Sequence, residues 1–322
     1  MYVIEINKTN IGMSIAEALS MLKPKKYSII DDYLIIEKNN INTKKLSFGL
    51  VKNIYEIITS AKSIEELKIN ISKINFKKII NNTYKVDTLN CKEEKIDIIN
   101  SIAQFIKKEL NSKNVKRDVS LNNPGSFFVC IKTKSKYFFT QKIWTNIDNI
   151  KTRELKELPQ RLPTATDPKI AKAMVNLTGK NKVKILDPFC GSGGILIEAA
   201  LLGHKIKGFD IDKRALGSAK LNMLYLGIKN FSLELKDCLT MNLKANAIVT
   251  DLPYGKNSKI NQDLKKLYKE FLHYSSKFTK ILIIGFPSEI DESFITNEWK
   301  IDNFFEIYIH KSMSKKIFVL KQ

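Results

Sequence analysis

Three observations predict an α/β protein whose two halves are built differently. From Asp167 onward, short apolar strands alternate with helical patterns in a regular βαβ order, which implies a mostly parallel sheet. The last two strand patterns, 304–310 and 316–320, are joined by a turn too short for a crossover, so they must run antiparallel. Before residue 147 the order is irregular and includes a hairpin, as in small α+β units with antiparallel strands.

Taken in order, 2–7 reads as a strand and 13–22 as a helix with apolar residues at helical spacing. Strands at 27–30 and 33–37 flank the turn pair Asp31-Asp32, and 51–59 and 64–67 read as helix. A strand at 83–89 precedes a long amphipathic helix at 92–110, then a hairpin of 126–133 and 137–142 over 134–136. Residues 147–166, with Pro159 and Pro163, read as a linker or extended arm. The parallel strands are expected at 183–187, 205–210, 232–236, 247–251 and 281–286.

Composition narrows the class. The 322 residues are 43 % hydrophobic and 27 % charged, a globular balance that fits two or three domains. No apolar run reaches the roughly 18 residues of a membrane span, and 1–10 lacks a signal-peptide pattern, so a soluble cytosolic protein is expected. The net charge is +21, with +12 in 1–165 and +9 in 166–322, which fits a polyanion gripped along a long surface. Nearly all of that charge is Lys; Arg occurs only at Arg117, Arg153, Arg161 and Arg214, so a Lys-rich composition alone could also account for it. The four cysteines form no C-x-x-C pair and there are three histidines, so no metal site is expected and the cysteines are expected as thiols.

The chemistry sits at strand ends. In K-I-L-D-P-F-C-G-S-G-G (184–194) a strand ends at Asp187 and a Gly-rich turn opens a helix. No Lys-Ser/Thr follows the glycines, which excludes an ATP-binding P-loop, and the carboxylate suits a cationic ligand group better than a pyrophosphate. Asp210 ends the next strand and can accept from both hydroxyls of a ribose, while Asp212 suits a helix N-cap. Asp237 ends the third strand, where it can accept from an adenine amino group. Each Asp alone would read as a cap or turn residue; three at successive strand ends point to an adenosine site. After the fourth strand, D-L-P-Y-G (251–255) offers a carboxylate and a backbone carbonyl held by Pro253, to grip an exocyclic amine, with Tyr254 to stack on its base.

D-P-F-C-G-S-G-G followed by D-L-P-Y-G resembles the class I S-adenosylmethionine-dependent methyltransferases of amino nitrogens, and among them the archaeal and eukaryotic tRNA guanine-N2 methyltransferases acting at tRNA position ten. The resemblance extends to 167–177, a helix preceding the cofactor loop, and to H-K-S-M-S-K-K (310–316), similar to the family's basic turn. More loosely, the N-terminal half resembles the family's ferredoxin-like segment (1–70) and THUMP RNA-binding domain (71–146), with 147–166 as linker and 167–322 as a Rossmann-like class I methyltransferase domain. Family members often carry Arg where this chain has Lys in the closing turn, and Pro where Leu252 stands.

The resemblance implies roles for named residues. Asp187 with Cys190, Gly191, Ser192, Gly193 and Gly194 would hold the methionine part of S-adenosylmethionine; Asp210 the ribose; Ile211, Asp237 and Cys238 the adenine. Asp251, Pro253 and Tyr254 would hold the target guanine, and Lys116, Arg117, Arg161, Lys311 and Lys315 would contact tRNA. A carboxylate can accept from guanine's adjacent N1–H and N2–H, whereas adenine pairs a donor with an acceptor. A sister group acting at tRNA position six usually begins its fourth motif with Asn, so Asp251 favours position ten. A DNA adenine-N6 methyltransferase would share the cofactor and fourth motif but would carry a target-recognition domain. A dinucleotide oxidoreductase has no use for D-L-P-Y-G, and intact Asp187, Asp210 and Asp251 argue against a non-catalytic RNA-binding protein.

Overall fold

The computed structural model describes residues 1–111, 118–160, 166–254, 262–310 and 313–322. The chain forms two compact units. The first comprises Met1–Ile11, Lys23–Leu46 and Val51–Ile147; the second comprises Gly12–Leu22, Ser47–Leu50 and Asp148–Gln322. The units are therefore not contiguous in sequence: most of helix α1 (Ile11–Leu22) belongs to the second.

The first unit is built on one eight-stranded sheet. Its strands are β1 (Tyr2–Glu5), β2 (Lys26–Ile30), β3 (Tyr33–Glu37), β4 (Asn53–Ala61), β5 (Thr83–Leu89), β6 (Asp118–Val119), β7 (Ser126–Lys132) and β8 (Tyr137–Thr145), in the order β2-β3-β1-β4-β8-β7-β5-β6. Only β5 runs parallel to its neighbours β6 and β7, a pairing that needs a crossover. Helix α4 (Lys95–Asn111) supplies it, burying Ile98, Ile102, Ile106 and Leu110 at four-residue spacing. With α2 (Ile64–Ser72) and α3 (Phe76–Ile79), α4 covers a core that includes Phe76, Phe128 and Phe139.

One segment departs from the sequence expectation. Residues 51–59 read as helix, but β4 occupies Asn53–Ala61 between β1 and β8. The ladder with β8 slips between Ile54 and Tyr55 and again between Ile57 and Thr59. Each irregularity breaks the two-residue alternation, leaving apolar Val51, Ile54, Tyr55 and Ile58 at the spacing of a helix face. The four cysteines are free thiols, with Cys91 against the Cys130 carbonyl. Among the described residues no helix is long and apolar enough to cross a membrane.

The second unit carries α5 (Pro168–Leu177), β9 (Lys184–Asp187), α6 (Gly194–Leu201), β10 (Lys205–Asp210), α7 (Lys213–Tyr225), β11 (Phe231–Leu235), β12 (Ala247–Asp251), α8 (Gln262–Ser275), β13 (Ile281–Pro287), β14 (Lys300–His310) and β15 (Met313–Lys321). Its strand order is β11-β10-β9-β12-β13-β15-β14. Strands β9 to β13 are parallel, and β15 inserts antiparallel between β13 and β14. The order reverses between β9 and β12, so a crevice opens at their carboxyl ends, the place where such sheets bind ligands.

Helix α5 starts where Asp167 caps the Lys169 and Ile170 N–H groups, with Pro168 in the first turn. It is buried from Ile170 to Leu177. Glu17 on α1 is fully buried and accepts from the Gly49 N–H (2.7 Å), the Leu50 N–H (2.9 Å) and Asn176 Nδ2 on α5 (2.7 Å). Residues before α5 are held by buried charge: Arg153 bonds Glu198 on α6 (2.6 Å) and Asp148 (2.9 Å), and Lys172 pairs with Asp148. The Gln160 backbone exchanges hydrogen bonds with the Asn222 amide of α7, which also donates to the Ser192 carbonyl.

Candidate active site

Each strand end at the crevice carries its carboxylate in a defined setting. Asp187 is buried, and its Oδ1 accepts from Thr250 Oγ1 on β12 (2.6 Å) and the Phe189 N–H (3.2 Å). Burial pushes its carboxyl up to about 7; the charges of Asp210 and Asp251 add to this and the two hydrogen bonds oppose it. Asp210 uses both oxygens on backbone: Oδ2 accepts from the Gly191 N–H (2.8 Å) and Oδ1 from the Asp212 N–H (2.9 Å). Each oxygen keeps a lone pair for a ligand donor. Asp212 caps α7 through the Arg214 N–H (2.7 Å), and Asp237 caps a short 3₁₀ turn through the Leu239 N–H (2.8 Å).

The loop between β9 and α6 needs its second glycine. Gly193 has φ +88°, and a Cβ there would lie 3.1 Å from Met223 Cε and 3.2 Å from Ala219 Cβ. The turn is closed by the Gly193 N–H donating to the Cys190 carbonyl (2.8 Å). It delivers the start of α6, whose first turn has no side-chain cap from Gly193, to the crevice.

One cavity of about 490 Å³ gathers these parts. Asp187, Cys190, Gly191, Ser192, Gly194, Asp210, Ile211, Asp237 and Cys238 line it, as do Asp251, Pro253 and Tyr254. Gly193 shapes the turn without lining the cavity. Its described lining holds four carboxylates and no Lys, Arg or His. That donor set fits a ligand with a positively charged end, a diol and an amino-bearing ring, which S-adenosylmethionine has. Among the described residues no cluster of His, Cys, Asp or Glu could hold a metal ion.

Asp251 ends β12 and is 12 % exposed. Its Oδ2 accepts from Lys315 Nζ on β15 (2.6 Å) and from Thr166 Oγ1; its Oδ1 accepts from the Tyr254 hydroxyl. Tyr254 is thus folded back onto Asp251, and burial raises its hydroxyl pKa, with the Asp251 charge adding to the effect. The Pro253 carbonyl accepts from the Tyr268 hydroxyl of α8, which anchors the motif from below. Leu252 is buried in the core beneath it.

Lys315 is a correction. The resemblance implied an RNA contact in a basic turn, but its side chain is 4 % exposed and ends on Asp251. It lies two residues before Ile317 on β15, on the face that carries Ile317 and Val319 into the core. Lys116, Arg117, Arg161, Lys311 and Gly255 lie outside the described residues. Sequence reasoning missed Thr166, Phe189 and Leu267 as lining residues and Thr250 as the partner of Asp187. It also missed Gly285, for which a signal existed: a lone glycine inside the strand I-L-I-I-G-F-P marks a close approach.

Comparison with known proteins places the chain among methyltransferases in sequence and fold. Residues 158–298 match the family model of an RMKL-like methyltransferase domain, and residues 9–221 match a DNA methylase model. A curated tRNA (guanine(10)-N2)-dimethyltransferase of Methanothermobacter thermautotrophicus is 32 % identical over 69 % of this chain and 67 % of its own length. That of Pyrococcus abyssi is 28 % identical over 100 % of this chain and 99 % of its own. A solved chain complexed with SAH shares the fold, with a TM-score of 0.53 at 15 % identity over 99 % of this chain and 97 % of that one. On the match in sequence, length and fold, the chain belongs to the family of the archaeal tRNA (guanine(10)-N2)-dimethyltransferases.

Proposed function

We propose that this protein transfers methyl groups from S-adenosylmethionine to the exocyclic N2 of guanosine ten in tRNA. The observation that carries the reading is Asp251: an acceptor at the end of β12, facing an acid-lined cavity, in a chain of this family. The relatives are dimethyltransferases by name, which supports two successive transfers. A tRNA substrate supports a cytoplasmic enzyme.

When bound, S-adenosylmethionine supplies a methyl group activated by a sulfonium. Asp187 would face its ammonium, the N–H groups at the start of α6 its carboxylate, and Asp210 its ribose hydroxyls. Ile211, Asp237 and Cys238 would border the adenine. Asp251 and the Leu252 carbonyl would accept the N2–H protons of the base, and Tyr254 would release Asp251 to stack on the ring. Hydrogen bonds to N2–H favour a more pyramidal nitrogen with an available lone pair. The rate gain comes from positioning and fixed charge, and Asp251 need not be a strong base, because the methylated nitrogen sheds its proton readily.

The accompanying domain reading assigns much of the tRNA affinity to residues 1–150, which hold a ferredoxin-like segment (1–70) and a THUMP domain (71–146), with 147–166 joining them to the methyl-transfer half. The positive charge of the first half supports it, and tRNA binding should weaken steeply with salt. The DNA methylase match ends at residue 221, before Asp251, so it carries nothing about the base acted on. The test is to incubate unmodified tRNA with the protein and S-adenosylmethionine, digest it, and analyse the nucleosides by mass spectrometry with reverse-transcription mapping. N2-methylated guanosine at position ten is expected. Methyladenosine would overturn the base assignment, and a product at position six would overturn the site alone.

A further inference from the structure

We infer that Lys315 is the positioning residue for Asp251, dividing its two carboxylate oxygens between the protein and the substrate base. The inference rests on the methyl-transfer reading above. A carboxylate oxygen accepts about two hydrogen bonds. Oδ2 receives two donors, Lys315 Nζ at 2.6 Å and Thr166 Oγ1, and Lys315 Nζ also reaches Thr166 Oγ1 at 3.2 Å. Oδ1 accepts from the Tyr254 hydroxyl and, among the described residues, from no second donor, so it keeps a lone pair. Oδ1 is therefore the oxygen that meets the N2–H of the base, and Oδ2 the one that is anchored.

The sheet is built to permit this contact. Asp251 on β12 lies beside Gly285 on β13, which lies beside Ile317 on β15. A Cβ on Gly285 would fall 2.2 Å from Asp251 Oδ1. The missing side chain lets the Asp251 carboxylate lean over β13, where Lys315, two residues from Ile317 and opposite Pro287, meets it.

Charge explains why the anchor is a cation. Among the described residues, the groups facing Asp251 are Asp187 from β9, Tyr254 beside it, Tyr268 from α8, Thr166 from before α5, and Lys315 from β15. Lys315 makes a charge-assisted hydrogen bond to Oδ2, stronger than a neutral donor would make, and so fixes the rotation of the carboxylate. The pair is also neutral, so Lys315 adds no net repulsion toward the sulfonium.

The test compares Lys315→Gln, Lys315→Arg and Gly285→Ala with the native enzyme in kcat, cofactor affinity and tRNA affinity. Lys315→Gln should lower kcat about tenfold to a hundredfold and keep cofactor and tRNA affinity within a few-fold. Lys315→Arg, which keeps a charged donor, should recover part of that loss. Gly285→Ala leaves Lys315 in place but crowds the carboxylate, so it should reproduce the kcat loss; it decides the matter should Lys315→Gln not fold. Native kcat in either Lys315→Gln or Gly285→Ala would overturn the proposal. So would a Lys315→Gln defect confined to tRNA affinity and its salt slope, which would make Lys315 a phosphate contact. A native enzyme inactive on every tRNA would instead sink the methyl-transfer reading, which separates the two failures.

Discussion

Asp251 occupies the space that a side chain on Gly285 would need, with its Oδ1 2.2 Å from where that Cβ would stand. The carboxylate is therefore placed by a gap in the neighbouring strand as well as by its own strand end. Its partners on Oδ2, Lys315 and Thr166, come from β15 and from the segment before α5. Three distant parts of the second unit thus meet on one carboxylate at the mouth of the sheet.

Replacing that carboxylate should damage the reaction more than the cofactor site. Asp251→Ala removes the acceptor for the amine while Asp187, Asp210 and the β9–α6 turn stay in place. We expect kcat to fall about 10²-fold or more, as for other preorganised electrostatic groups, with cofactor affinity near native by calorimetry. Full activity of Asp251→Ala would remove it from the mechanism.

Asp210→Ala should show the opposite pattern. Its oxygens hold the Gly191 and Asp212 N–H groups and have lone pairs left for two ribose hydroxyls. Losing charge-assisted bonds of this kind costs about 1.5–3 kcal/mol, or roughly tenfold to a hundredfold in cofactor affinity. Titration calorimetry on the folded variant measures it directly, and an unchanged dissociation constant would exclude Asp210 from the site.

The raised carboxyl of Asp187 predicts proton-linked binding. In the folded chain its pKa is pushed up to about 7, chiefly by burial, so near neutrality it is partly protonated. A cationic group bound against it favours the carboxylate, so binding should release protons at and below about pH 7. Cofactor affinity should rise with pH up to that point and level off above it. For folding the sign is unfavourable: the native carboxyl holds a proton that the unfolded chain has already shed. Stability from this residue therefore falls as pH rises from the ordinary carboxylate range to about 7, then stays level. Calorimetry in buffers of different ionisation enthalpy counts the protons, and Asp187→Asn should abolish the linkage.

Glu17 predicts a stability effect far from the chemistry. Its carboxylate satisfies the buried Gly49 and Leu50 N–H groups and the Asn176 amide. Glu17→Ala strands those donors, and buried unsatisfied groups cost about 1–3 kcal/mol each, so a lower Tm is expected by calorimetry. The same network bears on truncation. A fragment beginning at Asp148 lacks α1 and residues 47–50, which belong to the second unit, and should be less stable than the whole chain.

The residues by themselves determined the parallel sheet, the closing hairpin and the carboxylates at the strand ends, because each of these signals is local. An apolar strand, an acid and a Gly-rich or Pro-stiffened turn lie within a dozen residues, and strand ends of a parallel sheet fall on one edge. Thus Asp187, Asp210, Asp237 and Asp251 could be read from the chain before any contact was known, and one cavity collects them. The β4 segment misled for a local reason too, since its broken ladder gives a strand the spacing of a helix. Tertiary structure alone decided what those carboxylates touch. Lys315 and Asp251 are 64 residues apart and meet only because β15 inserts beside β13 with glycine at the crossing. Glu17 and Asn176 are 159 apart, joined by a buried hydrogen bond that leaves no periodicity in either segment. A pairing across the fold depends on strand order and on which side chain is missing between two others, and neither quantity is carried by the neighbourhood of either residue in the chain.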